Sequence, residues 1–282
     1  MTGGGRNLRF TFGAIAVDLF NNGDFPIDLK EVFGPQGPIY LSADQLSRPV
    51  RYPSYTTVVR AAQAMIVVDP GDHARLMAAS GSKEPEVDPP PVPLLEQLKG
   101  AGIKSTEVTH VVVTHLHFDH FAGLTRSDRG AIVPSFPNAE HIIPAKDWEM
   151  PDIAEGRAKK DEDLAQTLMV IHAAGLITFI DGRRELESGV AVEPCPGESP
   201  GHQLLAVGTA SERGYIIGDL YHQKEEVEHP QLMATWTDRE ALKSSRDAFS
   251  ARASRESAVV LPGHMPPGRI SSAGGLTTWK EL

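Results

Sequence analysis

Thr114-His115-Leu116-His117-Phe118-Asp119-His120 follows directly on the apolar run Val111-Val112-Val113. Three imidazoles and a carboxylate thus crowd into six positions at the end of what reads as a strand. In extended backbone His115 and His117 project to the same side, whereas the chain must turn before Asp119 and His120 can be presented. That spacing points to two neighbouring metal positions rather than one. Imidazole and carboxylate suit zinc first, with manganese, iron or cobalt as alternatives. Cys195 is the only cysteine, so no thiolate set can close a structural zinc site, and an open site of hydrolytic character is the expectation.

Composition narrows the remaining classes. A chain of 282 residues, 40% hydrophobic and 23% charged, is long enough for a large core and reads as a single domain over 1–282. The net charge of −10 disfavours a phosphate backbone as partner, so no nucleic acid is expected. No run approaches the ~20 apolar residues of a membrane span. Leu8, Phe10 and Phe12 alternate as in a strand rather than forming the apolar core of a signal peptide. Cys195 reads as a small core filler and fits a reducing, cytoplasmic setting.

Along the chain, Met1 to Gly5 is expected to be flexible and Leu8 to Phe20 to form one strand ending at the turn Asn21-Asn22-Gly23-Asp24. The Pro- and Gly-rich segment Phe25 to Pro53 is either a substrate-side loop or a contact surface for a second copy of the chain, which makes a homodimer a candidate assembly. Short strands are expected over Thr56–Arg60 and Ala64–Asp69, closed by Asp69-Pro70-Gly71. Residues 81–93, with five prolines, read as an exposed extended loop. A short helix over 94–98 leads into the strand 108–113, an order that suggests mixed α/β architecture. Helical spacing joins Leu164, Leu168 and Ile171. Strands are expected over 189–194, 203–207, 215–218 and 258–261, and Thr237-Asp238-Arg239-Glu240 reads as a capping box opening a helix to about Arg255. His73, His110, His141 and His172 read as structural.

The 114–120 stretch resembles the signature of the metallo-β-lactamase fold superfamily. Further matches follow in order: Ser199-Pro200-Gly201-His202, Gly218-Asp219 and Pro262-Gly263-His264. The resemblance covers most of the chain from about Thr56 to His264. It implies the α/β four-layer αβ/βα sandwich with two mixed β-sheets and the metals in the cleft between them. It also implies that His115, His117 and His202 hold one metal, that Asp119, His120 and His264 hold the second, and that Asp219 bridges. Two divalent ions so held would be hydrolytic, a metal-bridging hydroxide attacking a carbonyl carbon while Asp119 guides the proton.

Acyl-homoserine lactonases of that superfamily carry a tyrosine three residues after the bridging aspartate. Here that position is His222, with Tyr221 one place earlier, an arrangement similar to the branch holding other lactonases and methyl-parathion-type hydrolases. His222 and Tyr221 are therefore candidate catalytic groups beside Asp119. The leading expectation is a lactonase or related esterase acting on a small molecule. Rivals are a phosphotriesterase on the same metals, a thioesterase similar to glyoxalase II, a mononuclear iron dioxygenase and a binding protein with a vestigial metal site.

Overall fold

The computed structural model describes residues 8–80, 91–159, 161–274 and 276–282. The expectations for residues 1–5 and for 81–90 of the proline-rich stretch lie outside the described residues.

The first sheet gathers β1 (Leu8–Phe12), β2 (Ile15–Ile27), β3 (Val50–Arg60), β4 (Met65–Val68), β5 (His110–Val112), β8 (Glu140–Pro144) and β9 (Ile177–Ile180), in that spatial order. Neighbours are antiparallel as far as β4 and parallel from β4 to β9. Between β5 and β8 the chain makes a separate hairpin, β6 (Thr125–Asp128) and β7 (Ala131–Pro134). The second sheet runs in sequence order: β10 (Arg184–Glu187), β11 (Val190–Pro194), β12 (Gln203–Gly208), β13 (Arg213–Ile216), β14 (Val259–Leu261), β15 (Gly268–Ala273) and β16 (Leu276–Glu281). Only β13 and β14 are parallel there.

Strand alternation explains the layers. Side chains one apart point to opposite faces, so Ile66, Val68 and Val112 meet Val190, Val192, Leu205, Val207 and Leu261 between the sheets. Val67, Val111 and Val113 point the other way, onto Leu94, Leu98, Ile153, Leu164, Leu168 and Ile171. Behind the second sheet, Leu204, Ala206, Ile217 and Val260 pack on Leu242, Phe249 and Ala253 of the helix Arg239–Arg255. Helices, sheet, sheet and helix are thus stacked as the expected four-layer αβ/βα sandwich. No helix among the described residues is long and apolar enough to cross a membrane.

Several local expectations are corrected. The first strand breaks at Gly13, whose φ of 64° makes the hairpin turn between β1 and β2. Asn21 to Asp24 is a register shift inside β2 and not a turn, because pairing with β3 resumes at Asp24 and continues to Ile27. Leu164, Leu168 and Ile171 are buried as expected but on two helices, Glu162–Gln166 and Leu168–Ala173, broken at Thr167. The cap of Arg239–Arg255 is Asp238, whose carboxylate accepts from the Glu240 and Ala241 amides, and not Thr237. The segment Phe25 to Pro53 contains the helices Leu29–Phe33 and Gly37–Tyr40, seated on Leu232 and Ala234.

Candidate metal centre

Topology brings the candidate side chains to one edge. Asp219 and His264 follow the ends of β13 and β14, which are parallel, and His202 precedes β12, which is antiparallel to β13. All three therefore emerge at the same edge of the second sheet. The stretch after β5 reaches that edge from the first sheet, where the Gln203 amide donates to Thr114 O at 2.9 Å and the Gln203 side chain to Val113 O at 2.8 Å. The chain leaves β13 through Gly218 at φ 49°, where an added Cβ would lie 2.5 Å from Thr114 Oγ1.

Seven side chains from four segments converge there. Around one position, His115 Nε2 lies 2.9 Å from His117 Nδ1 and 3.6 Å from Asp219 Oδ2. Around the other, Asp119 Oδ2 is 2.9 Å from His264 Nε2 and 3.3 Å from His120 Nε2, while Asp219 Oδ2 is 3.2 Å from His120 Nε2. Asp219 belongs to both groups of donor atoms. His202 stands beside His115, ring centroids 5.2 Å apart, but its Nε2 accepts the Asp219 amide at 3.2 Å. In its place the first group contains Glu198, a residue not singled out by the sequence motif.

These residues fit divalent cations. Asp219 Oδ1 is buried and makes no hydrogen bond, although His264 Nε2 is only 3.3 Å away. His115 Nε2 and His117 Nδ1 face one another at 2.9 Å, with Asp219 Oδ2 3.6 Å from the first and Glu198 Oε1 3.4 Å from the second. A tetrahedral site with bonds of 2.0–2.1 Å has donors roughly 3.3 Å apart, close to the spacings found here.

A second tier of contacts orients the imidazoles. Asp69 accepts from His120 Nδ1 at 3.0 Å and from the Thr114 amide and hydroxyl at 2.7 and 2.8 Å. Asp69 is thus a turn residue that also holds a ring. Backbone carbonyls fix His202 Nδ1 (Cys195 O, 2.8 Å) and His264 Nδ1 (Pro53 O, 2.9 Å). Buried Asp147 ties two loops together, accepting from the Leu116 amide, the Ser199 hydroxyl and the Gly201 amide. Asp69 carries a local signal only as a turn residue, and the reach of Asp69, Asp147 and Pro53 O to their partners joins positions 31 to 211 residues apart.

His222 and Tyr221 diverge. His222 is buried with Nδ1 3.3 Å from Glu226 Oε2, which leaves Nε2 facing Asp219 Oδ2 at 3.4 Å and Glu198 Oε1 at 3.7 Å. Tyr221 points the opposite way: its hydroxyl is bonded to Ser250 Oγ at 2.7 Å and its ring packs under Arg246 and the helix Arg239–Arg255. The expectation that Tyr221 takes part in the chemistry is therefore corrected. Consecutive residues face opposite sides, so only one of the pair can look into the cleft. The aromatic group that does border it is Tyr52, stacked on His222 and His264 at 6.4 and 5.9 Å. Phe25 meets His264 edge-on at 5.3 Å, and Trp236, 49% exposed, stands edge-on to His117 and His222 at 6.0 Å. Of the group, His117 is the most open, its side chain 34% exposed.

Electrostatics separate the imidazoles. Burial, then the neighbouring His120 and His117, hold His115 well below its ordinary value. Burial lowers His202 too. For His264 burial acts downward but is outweighed by Asp219 and Asp119, which bring it to about 9. His120 is raised well above its ordinary value, burial again acting downward and Asp119, Asp219 and Asp69 upward. A cation can take His264 Nε2 only after its proton leaves. Between pH 6.5 and 9, cation uptake should release at least one proton, and affinity should rise about tenfold per pH unit for each proton lost. Calorimetric zinc titrations at pH 7.5 in two buffers of different ionisation enthalpy would measure this; identical heats would show the rings already neutral.

His110, His141 and His172 lie elsewhere: His110 against Thr109 Oγ1, His141 buried on Ala139 O and pushed down to about 4 by burial, and His172 on the Trp148 ring. Cys195 is buried among apolar side chains, its thiol pushed up to about 12 by burial.

Comparison with known proteins adds independent findings. Residues 49–264 match the family model described as the metallo-beta-lactamase superfamily. Metallo-beta-lactamase domain-containing protein 1 of Xenopus laevis is 27% identical over 186 residues, 65% of each chain. An N-acyl homoserine lactonase of Bacillus cereus is 29% identical over 168 residues, 59% of this chain and 60% of the lactonase. The chain thus spans less than two thirds of the length of these relatives. Among solved structures, AidC, described as a dizinc quorum-quenching lactonase, superimposes with TM-score 0.74 at 17% identity, over 98% of this chain and 97% of that one. The hydrolase AbOPH superimposes with TM-score 0.74 at 20% identity over the same shares; both likenesses are of fold.

Proposed function

The chain belongs to the metallo-beta-lactamase superfamily, and on that footing we propose that it is a dinuclear metal-dependent hydrolase that opens a small-molecule lactone or a related carboxylic ester. The observation that carries this reading is the pair of donor groups sharing Asp219 at one edge of the sandwich. His115, His117, His202 and Asp219 would hold one divalent ion, and Asp119, His120, His264 and Asp219 the other. Zinc is the first candidate for this nitrogen and oxygen set. The similarity to the Bacillus cereus N-acyl homoserine lactonase supports a lactone as substrate.

Two bound dications would supply a water-derived nucleophile at neutral pH and Lewis-acid contacts for the carbonyl and leaving oxygens. The protein's own groups do the rest. Asp119, 16% exposed and the more open of the two carboxylates, can take the proton of the attacking water and return it to the departing alkoxide. His222 Nε2, aimed into the cleft because Glu226 holds Nδ1, can donate to the substrate carbonyl or leaving oxygen. Tyr52, Phe25 and Trp236 offer an apolar rim for an acyl chain. We take the single buried Cys195 as suited to the cytoplasm and leave a second copy of the chain as a candidate partner.

Zinc-reconstituted protein should hydrolyse N-acyl homoserine lactones, and a chelator should remove that activity until zinc is restored. The decisive panel sets lactones beside aryl esters and phosphotriesters. Faster turnover of a phosphotriester than of any lactone would move the reading to the phosphotriesterase, and full activity in excess chelator would end it.

A further inference from the structure

We propose that Glu198 is itself a ligand of the first cation, adding a third carboxylate to the dinuclear site. The inference deepens the hydrolase reading and rests on it.

Glu198 lies in a turn clamped from both sides. Gly197, at φ 134°, is pressed against the helix Arg239–Arg255 so closely that an added Cβ would lie 2.2 Å from Leu242 Cα, and its carbonyl accepts the Asp238 amide at 2.9 Å. On the far side, the Ser199 hydroxyl and the Gly201 amide are held by Asp147 at 2.7 and 2.6 Å. Between these anchors the Glu198 side chain turns inward and is fully buried.

Its surroundings are wrong for a structural carboxylate. Oε1 accepts one neutral hydrogen bond, from Trp236 Nε1 at 2.6 Å, and Oε2 has no hydrogen-bond partner among the described residues. Among the described residues no lysine or arginine pairs with it, and His222 Nε2, 3.7 Å from Oε1, stands nearer to Asp219 Oδ2 at 3.4 Å and is tied to Glu226 through its other nitrogen. A buried anion so poorly served is costly unless a cation compensates it. The nearest donors are those of the first metal position: His117 Nδ1 at 3.4 Å, with His115 Nε2 and Asp219 completing a group whose atoms all lie within 4.8 Å of one another. The 3.4 Å separation is that of two ligands sharing one ion, for which roughly 3.3 Å is expected. His202, by contrast, has its free nitrogen engaged by the Asp219 amide.

Charge follows. Asp119, Asp219 and Glu198 together contribute three negative charges against the four of two dications, so the site retains a net charge of one rather than two. An oxygen-richer first position is also less selective for zinc over manganese or iron.

The test is cation binding by wild-type protein and the variants Glu198→Gln, Glu198→Asp and Trp236→Phe, read by chelator competition with zinc and by the visible absorption of the cobalt-substituted protein. Glu198→Gln should lose more affinity for one of the two cations than the roughly 10–100-fold that an outer partner costs, and keep the other. Its metal-free form should melt no lower than wild type, because the uncompensated charge is gone, while zinc should raise its melting temperature less. Trp236→Phe, which removes only the hydrogen bond to Glu198, should weaken the same cation by less than Glu198→Gln does. Wild-type affinities and cobalt spectrum in Glu198→Gln would overturn the inference alone. A loss in Trp236→Phe as large as that in Glu198→Gln would overturn it in favour of a role through the indole. A wild-type protein that binds no cation would overturn the hydrolase reading together with it. If Glu198→Gln does not fold, Glu198→Asp decides between the same outcomes.

Discussion

Asp219→Asn is expected to lower kcat/KM for a lactone by on the order of 10³-fold or more, with the fold intact and metal content reduced. The argument is the sharing of one carboxylate. Oδ2 stands 3.6 Å from His115 Nε2, 3.2 Å from His120 Nε2 and 3.4 Å from His222 Nε2, and Oδ1 stands 3.3 Å from His264 Nε2. An amide of the same shape supplies one acceptor where two are needed and turns N–H groups towards imidazoles. It also removes a negative charge whose folded state is favoured: His120, His264 and His222 overcome the burial that acts against it and hold Asp219 well below the usual carboxylate range. Metal analysis beside kinetics separates the two routes to inactivity. Wild-type kcat/KM in Asp219→Asn would remove the shared site from the mechanism.

The convergence that underlies this prediction is largely legible in the sequence, for a local reason. The segment 115–120 is marked by its own crowding of ligands and the segments of His202, Asp219 and His264 by short motifs that resemble those of the family, and each of the four adjoins an apolar run that reads as a strand. What is not legible depends on pairs far apart along the chain. Asp147 and Ser199 are 52 positions apart, Asp69 and His120 51, and Glu226 and Arg246 20, and neither member of such a pair announces the other. Glu198 was silent because it precedes a recognisable Ser-Pro-Gly-His and its neighbours His117 and Trp236 come from other segments. The choice between Tyr221 and His222 needed the direction of the chain after Asp219. At the start, apolar alternation ran through Gly13 and hid the β1–β2 turn, while Asn21 to Asp24 carried turn chemistry that pairing with β3 absorbs as a register shift. The closing strands β15 and β16 carry little signal, since Gly268 to Glu281 shows little apolar contrast and half of β15 and most of β16 are exposed.

Arg246→Met should be the most damaging substitution away from the cleft, costing about 3–5 kcal/mol and on the order of 10 °C in Tm. Arg246 is 1% exposed; its guanidinium donates to Leu220 O at 2.8 Å, Leu232 O at 2.7 Å and Glu226 Oε1 at 2.5 Å, and lies over the Tyr221 ring. Glu226 meanwhile accepts from the His222 and Gln223 amides at 2.6 and 3.1 Å and orients His222 Nδ1. Methionine fills the space of the arginine stem but leaves a buried carboxylate without its cation and two carbonyls without donors. The pH dependence gives the sign. Burial alone would raise Glu226, yet Arg246 and His222 hold it below its ordinary value. In wild type that pairing therefore contributes stability that is present above about pH 4.5 and is lost as pH falls below it. The deficit of Arg246→Met should accordingly be largest near neutrality and shrink towards pH 4, where the orphaned carboxylate can take a proton. Adding Glu226→Gln should recover part of the stability at pH 7 but not the activity, because an amide no longer fixes the His222 ring as a carboxylate does. A pH-independent deficit, or a double variant no more stable than Arg246→Met, would mean that packing of the arginine stem and not its charge holds this corner of the fold.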